Sequence, residues 1–349
     1  MNTIYMQQAL DLAAKANPFP NPKVGCVIVK DNKIIGQCYH KKAGSDHAEI
    51  AAIKDAISKG NKVENATLYV TLEPCNNHGK TPPCVDRLIK EKVKKVIIAT
   101  VDPNPKTHGQ SIQKLKDANI EVRIGLLEEE SDKLILPFFV EIKQRPFILL
   151  KVAMTADGFI AKNDNKALKI TGKESQHWNH CKRREVDAIL LGKTSAIVDN
   201  PQLSSRLEDT TYPIRILLDT KGTLPITLKC LSLPGKTIIL TVNKNYKNNK
   251  ADIIICKTKN NKIDINDALK KLKQQNIKSI MVEGGSEVIK SFIDNTLVDQ
   301  FALFIGPNTI GQGIPFYKGI TPGNMIDKLN LRVLRSCDKG EDRLILAKP

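Results

Sequence analysis

"ATLYVTLEPCNNHGKTPPCVDRLIKEK", residues 66–92, runs from an apolar, β-prone pattern through a polar loop into an amphipathic helix pattern. Val, Tyr, Thr and Leu suit a pleated strand. Pro82 and Pro83 suit a helix start, where a missing N–H costs nothing. A strand feeding a helix is the repeating unit of an α/β sheet, and the flanking sequence repeats it. Upstream, "KVGCVIVK" (23–30) predicts a strand, and "HAEIAAIKDAISKG" (47–60) a helix with Ile50, Ile53 and Ile57 on one face. Downstream, "KKVIIATVDPNP" (94–105) predicts a strand, "GQSIQKLKDANI" (109–120) a helix and "EVRIG" (121–125) a short strand. Helices are also expected over 2–16 and over the acidic stretch 126–139. The expectation is an α/β unit with helices flanking one sheet.

The Arg145-Pro146 step predicts a boundary, because proline disfavours helix at the residue before it. After it the alternation restarts. Strands are expected at 147–154, 187–192, 214–219, 236–242, 251–256 and 278–285, and helices at 173–186, 265–276 and 286–295. The chain of 349 residues therefore divides into domains 1–144 and 145–349.

Composition narrows the function. At 41% hydrophobic residues the chain can build ordinary cores, and no apolar run reaches the roughly 18–20 residues of a membrane span. The first 22 residues lack the basic start and apolar block of a signal peptide, which points to the cytoplasm. The formal charge of +17 is spread over scattered lysines, and only 5% of residues are aromatic. Without a basic stripe interleaved with stacking rings, a nucleic-acid partner is not expected. A membrane partner is not expected either. Of the eight cysteines, only Cys75 and Cys84 cluster with other ligand-type residues.

His47, Cys75 and Cys84 form the chemically informative set. Zinc takes imidazole nitrogen and thiolate, and a catalytic zinc keeps one position for water. Glu49, two residues after the histidine, can take a proton from that water and give one to a leaving amine. His-x-Glu, then Pro-Cys, then a later Cys is the pattern of zinc-dependent base deaminases, whose cysteines normally stand two residues apart. Here eight residues, 76–83, separate them. The insert contributes His78, which as a fourth ligand would close the site into a structural one, or contacts substrate. Taken alone, "HAE" reads equally as a polar helix start.

"PFPNPKVGCVIV", "HAE", "LEPCNNHGKTPPC" and "DPNP", in this order, resemble the deaminase half of the bifunctional riboflavin-biosynthesis deaminase–reductase family, of cytidine-deaminase-like fold. The resemblance implies that His47, Cys75 and Cys84 bind zinc and that Glu49 shuttles protons. It further implies that Asn21, Lys80, Asp102 and Asn104 bind the pyrimidine and ribose-phosphate.

The second half has no G-x-G-x-x-G after an early strand, so a dinucleotide domain of that type is not supported. "GPNTIGQG" (Gly306, Gly311, Gly313) follows a late strand and leads into no clear helix. A better phosphate site is "SIMVEGGSEVIKSFI", where a strand ends in Glu283-Gly284-Gly285 and a helix begins near Ser286. "FILLKVAMTADGFIA", "DAILLGKTSAIVDNPQLSSR", "PIRILLD" and "VEGG" resemble the reductase half of the same family, which is dihydrofolate-reductase-like and uses NADPH. The resemblance implies NADPH contacts at Ala153, Lys169, Ser195, Asp199, Gly285, Ser286, Glu287, Val288 and Ile289. It implies substrate contacts at Ala167, Arg183, Leu203, Arg206 and Glu283; Lys151, one cation on an expected central strand, reads either as a solvated or salt-bridged lysine or as a substrate-side group near the nicotinamide. Ala167 and Lys169 stand where the family usually has serine and tryptophan, Ser195 where it has threonine, and Asn200 where it has a second aspartate.

The expected activity is hydrolytic deamination of 2,5-diamino-6-ribosylamino-4(3H)-pyrimidinone 5′-phosphate, then NADPH-dependent reduction of the ribosyl chain to ribityl. The alternative is a zinc deaminase of tRNA or nucleotides with a non-catalytic C-terminal domain. The resemblance also implies a homo-oligomer formed through the reductase half.

Overall fold

The computed structural model describes residues 3–76, 82–164, 166–207 and 212–349. The chain forms two compact units, Met1–Gln144 and Arg145–Pro349. Among the described residues no helix is long and apolar enough to cross a membrane.

The first unit contains α1 (Thr3–Ala14), β1 (Gly25–Lys30), β2 (Lys33–Tyr39), α2 (Ala48–Ser58), β3 (Thr67–Leu72), α3 (Cys84–Lys90), β4 (Lys95–Thr100), α4 (Gln110–Asp117), β5 (Glu121–Ile124) and α5 (Glu128–Lys143). Its sheet has the order β2-β1-β3-β4-β5, with β3, β4 and β5 parallel and β1 antiparallel to both neighbours. Side chains alternate across a strand, so each strand feeds two cores. Cys26, Ile28, Leu68, Val70, Val96 and Ile98 pack with α2, α3 and α4. Val27, Val29, Tyr69, Ile97 and Ala99 pack with α1 and with Leu134 of α5. This double coverage explains the nearly continuous apolar strands.

Two details differ from the sequence expectation. β2, "KIIGQCY", is an additional strand. The inner face of α2 carries Ala48, Glu49, Ala52, Ile53 and Ala56, while Ile57 is 49% exposed. Gly36 of β2 explains this: a Cβ there would stand 2.5 Å from the Ala52 carbonyl oxygen and 2.7 Å from the Ala56 Cβ. The helix lies so close to the strand that only small residues fit between them.

The second unit contains β6 (Phe147–Met154), β7 (Phe159–Ala161), α6 (Lys173–Glu185), β8 (Ala188–Gly192), α7 (Lys193–Asp199), β9 (Ile214–Leu218) and α8 (Lys229–Ser232). It continues through β10 (Thr237–Thr241), β11 (Asp252–Ile255), β12 (Thr258–Lys259), β13 (Lys262–Ile263), α9 (Ile265–Gln274), β14 (Ser279–Val282), α10 (Ser286–Asp294) and β15 (Gln300–Ile305). It ends with β16 (Ile314–Pro315), α11 (Met325–Lys328), β17 (Arg332–Lys339) and β18 (Asp342–Lys348). Nine strands make one sheet, β11-β10-β9-β8-β14-β6-β15-β18-β17. Its first seven strands are parallel, and β18 and β17 close it antiparallel. One face packs on α9 and α10 through Leu269, Leu272, Ile289 and Phe292. The other packs on α6, α7 and α8 through Trp178, Ala196 and Leu231.

Arg215 in β9 is fully buried. Its guanidinium donates to the carbonyls of Cys230 (2.5 Å), Leu233 (3.2 Å) and Pro234, and lies 6.0 Å from the Tyr212 ring. Among the described residues no carboxylate pairs with it. Burial pulls its pKa down, and three carbonyl dipoles offset that cost. Arg215→Met removes the guanidinium bonds to the Leu233 and Pro234 carbonyls and one of the two donors to the Cys230 carbonyl, which keeps the Thr237 hydroxyl at 2.9 Å, at a cost of about 1 kcal/mol per lost bond. The variant is expected to unfold at clearly lower denaturant concentration with an unchanged slope. A midpoint equal to that of the unaltered chain would show that the carbonyls find other partners.

Candidate active sites

In the first unit, three element ends converge beyond the C-terminal end of β3. His47 occupies the N-cap position of α2, Cys75 follows β3 by three residues, and Cys84 opens α3 behind Pro83. His47 Nδ1 stands 3.4 Å from Cys75 Sγ and 3.3 Å from Cys84 Sγ, and the three ligand atoms lie within 4.8 Å of one another. One imidazole nitrogen and two sulfurs in such a cluster fit a zinc ion with a fourth position left over. The local backbone adds to this: the Cys84 N–H donates to Cys75 Sγ at 3.3 Å.

The electrostatics suit the same chemistry. A hydrogen bond from the Cys84 thiol, opposed by burial and helped by His47, draws Cys75 down to about 4. Sharing one negative charge pushes Cys84 well up. The Cys75 bond raises His47. Glu49 is 3% exposed; burial, joined by the Cys75 charge, lifts its carboxyl to about 7. It also shares a hydrogen bond with the Cys84 thiol, so it sits beside the cluster without being part of the three-ligand set.

Asn21 Nδ2 lies 3.0 Å from His40 Nε2, and His40 Nδ1 lies 3.0 Å from the Asp46 carbonyl. A carbonyl only accepts, so Nδ1 carries the proton and Nε2 accepts from Asn21. The His40 ring meets the His47 ring edge-on at 5.1 Å, so this relay ties Asn21 to the ligand cluster. Asp102 and Asn104 lie on one turn: the Asn104 N–H donates to Asp102 Oδ1 at 2.8 Å. Burial lifts the Asp102 carboxyl to about 6. The turn is pinned by Glu73, whose Oε2 accepts from the N–H groups of Asp102 (3.2 Å) and Gly109 (3.0 Å). His40 and Glu73 are thus positioning residues that sequence reasoning missed. Glu73 sat inside a quoted motif, but its long-range partners are invisible in sequence. Lys80 and His78 lie outside the described residues.

The second unit holds a cavity of about 820 Å³ at the C-terminal ends of β6, β8, β9 and β14, where α7 and α10 begin. Lys151, Ala153, Lys169, Ser195, Asp199, Glu283 and 285–289 all line it. Ser195 Oγ accepts from the Gly285 N–H at 3.0 Å, which ties the glycine turn to α7. The first-turn residues Ser286 and Glu287 line the cavity too, and helix N–H groups there have no carbonyl one turn back, so they are available to a phosphate. Thr220 and Lys221, at the end of β9, join the wall without having been singled out in the sequence.

Glu283 is the electrostatic centre. Arg183 grips it in bidentate fashion, Nε to Oε1 at 2.7 Å and Nη2 to Oε2 at 2.8 Å. Burial alone would raise the carboxyl, but the Arg183 charge and hydrogen bonds, with Lys151, hold it at about 2. The Lys151 ammonium stands 5.6 Å from the centroid of the Phe304 ring, and burial lowers its pKa. The remaining expected substrate residues are placed differently. Arg183 is buried behind Glu283 and also donates to the Ser204 carbonyl at 3.2 Å. Leu203 is 1% exposed in the core shared with α7 and α8. Ala167 and Arg206 are exposed and do not line the cavity.

Known proteins match both units. The model of the cytidine and deoxycytidylate deaminase zinc-binding region matches residues 2–100, and that of the RibD C-terminal domain matches 146–345. Riboflavin biosynthesis protein RibD of Aquifex aeolicus is 41% identical over 355 residues, covering 99% of this chain and 97% of its own. RibD of Escherichia coli is 33% identical over 327 residues, 88% of each chain. The crystal structure of a diaminohydroxyphosphoribosylaminopyrimidine deaminase/5-amino-6-(5-phosphoribosylamino)uracil reductase from Thermotoga maritima is 34% identical, covers 99% of this chain and 98% of its own, and superposes with a TM-score of 0.58. The α/β class expected from the sequence, a deaminase domain followed by a reductase domain, agrees with these matches.

Proposed function

This chain belongs to the RibD family of bifunctional riboflavin-biosynthesis enzymes, a deaminase joined to a reductase, and from that premise we propose how its own residues divide the work. The first unit deaminates 2,5-diamino-6-ribosylamino-4(3H)-pyrimidinone 5′-phosphate. His47, Cys75 and Cys84 would hold a zinc ion, which when bound would make a water acidic enough to give up a proton near neutral pH and so become a nucleophile for the ring carbon. Glu49 takes one proton from that water and passes it to the ring nitrogen as the C–O bond forms, then takes the remaining hydroxyl proton and gives it to the amino group, which leaves as ammonia as the C–N bond breaks. Burial suits Glu49 to both halves of this task, because a carboxyl lifted toward neutrality both accepts and releases a proton. Asn21, Asp102, Asn104 and Lys80 bind the pyrimidine and its ribose-phosphate.

The second unit reduces the ribosyl chain of the product to ribityl. Ala153, Lys169, Ser195, Asp199 and 285–289, which line the cavity, would hold NADPH, and the cofactor when bound would supply the hydride. Lys151 and Glu283 face the sugar across the cavity, while Leu203 supports the fold from the core behind α7 and α8. Arg183 fixes Glu283. Arg206, exposed and forked, meets the phosphate.

The observation that carries this assignment is the three-ligand cluster with a buried, non-ligating carboxylate beside it. The test supplies the full chain with the diaminopyrimidinone phosphate and NADPH, and follows ammonia and NADPH together. Ammonia should appear first and NADPH oxidation follow. A zinc chelator should stop both, and adding the deaminated intermediate should restore NADPH oxidation to the chelated protein. Absence of ammonia from zinc-loaded protein would overturn the assignment.

A further inference from the structure

The glycine-rich stretch 306–313 serves neither reaction directly, yet its backbone encloses an anion. Asp157 Oδ2 accepts from the N–H groups of Ile310 (3.0 Å) and Gly311 (2.8 Å). Successive N–H groups converging on one point make an anion-binding nest, and here a carboxylate of the same chain occupies it. The other carboxylate oxygen accepts from the Thr155 hydroxyl at 2.5 Å. That hydroxyl oxygen in turn accepts from the Phe159 N–H at 3.0 Å, and the Ala156 N–H donates to the Asn308 carbonyl at 2.9 Å. Two loops, 155–159 and 306–313, are thereby stitched together around one charge.

The strands that leave these loops are β7 and β16, which pair with each other, Ile314 opposite Ala161 and Pro315 opposite Phe159. They contribute Ile160, Ala161 and Ile314, followed by the adjacent Lys162, to the wall of the 820 Å³ cavity. Backbone packs closely both inside this ribbon and between Gly306 and the 170 region. A Cβ on Gly306 or Gly313 would come within 2.4 Å of the carbonyl oxygens of Ile170 and Ala161, respectively. A ribbon of three residues against two is too short to be stable by itself. Something outside it must set its position.

We propose that Asp157 is a positioning residue of the reductase: by filling the 306–313 nest, it holds the β7–β16 ribbon as the wall against which NADPH binds. The inference rests on the NADPH assignment above. Asp157→Asn keeps the shape and can still offer one oxygen to the nest with its amide toward the Thr155 hydroxyl, but it removes the negative charge that strengthens these bonds. Loss of a charge-assisted hydrogen bond corresponds to about tenfold in an equilibrium constant. Gly311→Ala probes the same nest without touching the charge. Gly311 has φ +73° and nothing within 4 Å of its would-be Cβ, so alanine strains only the turn.

The experiment titrates NADPH into the full chain, reading the cofactor's fluorescence, and measures reductase kinetics and ammonia release in parallel. D157N should raise the NADPH dissociation constant and KM about tenfold with kcat and ammonia release little changed, and G311A should move them the same way by less. Equal NADPH affinity in both variants and the unaltered chain overturns the proposal, as does a loss confined to kcat. Should D157N also lose ammonia release through misfolding, G311A decides by the same criteria. Failure of the unaltered chain to bind NADPH would instead overturn the cofactor assignment.

Discussion

Glu49→Gln should cut ammonia release by about 10²–10⁴-fold, the range expected when a general acid–base group is lost. Glutamine has nearly the same volume, so the inner face of α2, where Glu49 packs among Ala48, Ala52 and Ile53, keeps its shape. It can accept a hydrogen bond but cannot carry a proton between the attacking water and the leaving amine. Because Glu49 lies outside the three-ligand set, the zinc-to-protein ratio should stay at its original value. NADPH oxidation with the deaminated intermediate should also persist, since that cavity is lined entirely by the second unit. Ammonia release within a few fold of the unaltered chain would remove Glu49 from the reaction. Loss of zinc together with ammonia would recast it as a support for the cluster.

Glu283→Gln should be the most damaging single change in the second unit. The Arg183 and Glu283 side chains are only 8% and 10% exposed, and the guanidinium meets both carboxylate oxygens. Removing one partner of a buried pair strands the other charge, at a cost of about 3–5 kcal/mol. The folded carboxyl titrates at about 2 against an ordinary 4.5. A depressed carboxyl contributes its stabilisation in full above its unfolded value and loses it as pH falls through the folded one. The displacement is worth roughly 3 kcal/mol at neutral pH. The stability deficit of E283Q should therefore be largest at neutral pH and shrink between about 4.5 and about 2. Unfolding curves at several pH values measure this, and a deficit independent of pH would mean that packing, rather than charge, is lost. The same variant should lose reductase activity, because Glu283 lines the cavity beside Lys151.

Much of this molecule was legible in one dimension. β6, Phe147–Met154, follows its eight-residue apolar run to the residue, and α6, α9 and α10 begin where their sequence signals stand. The ligand cluster could be read as well, because His47, Cys75 and Cys84 are rare residue types placed at element ends, where an α/β sheet brings chain segments together. Less legible was the closing edge of the second sheet. β17 is half-exposed and carries few apolar residues, so its alternation is weak, and it is defined mainly by pairing with β18. The inner face of α2 was misjudged for a related reason. The large isoleucines suggested one face, but the close approach of Gly36 selected the alanines.

By itself, then, the sequence determined the α/β class, the order of the elements and the donor set for zinc, because these depend on local periodicity and on residue chemistry. Only the tertiary structure decided which polar groups serve which site. His40 reaches Asn21, Glu73 reaches Asp102 and Gly109, Arg183 closes on Glu283 across 100 residues, and Asp157 fills a nest 153 residues away. Such partners are selected by strand order and loop closure. Those are properties of the packed sheet, and no local window of residues encodes them.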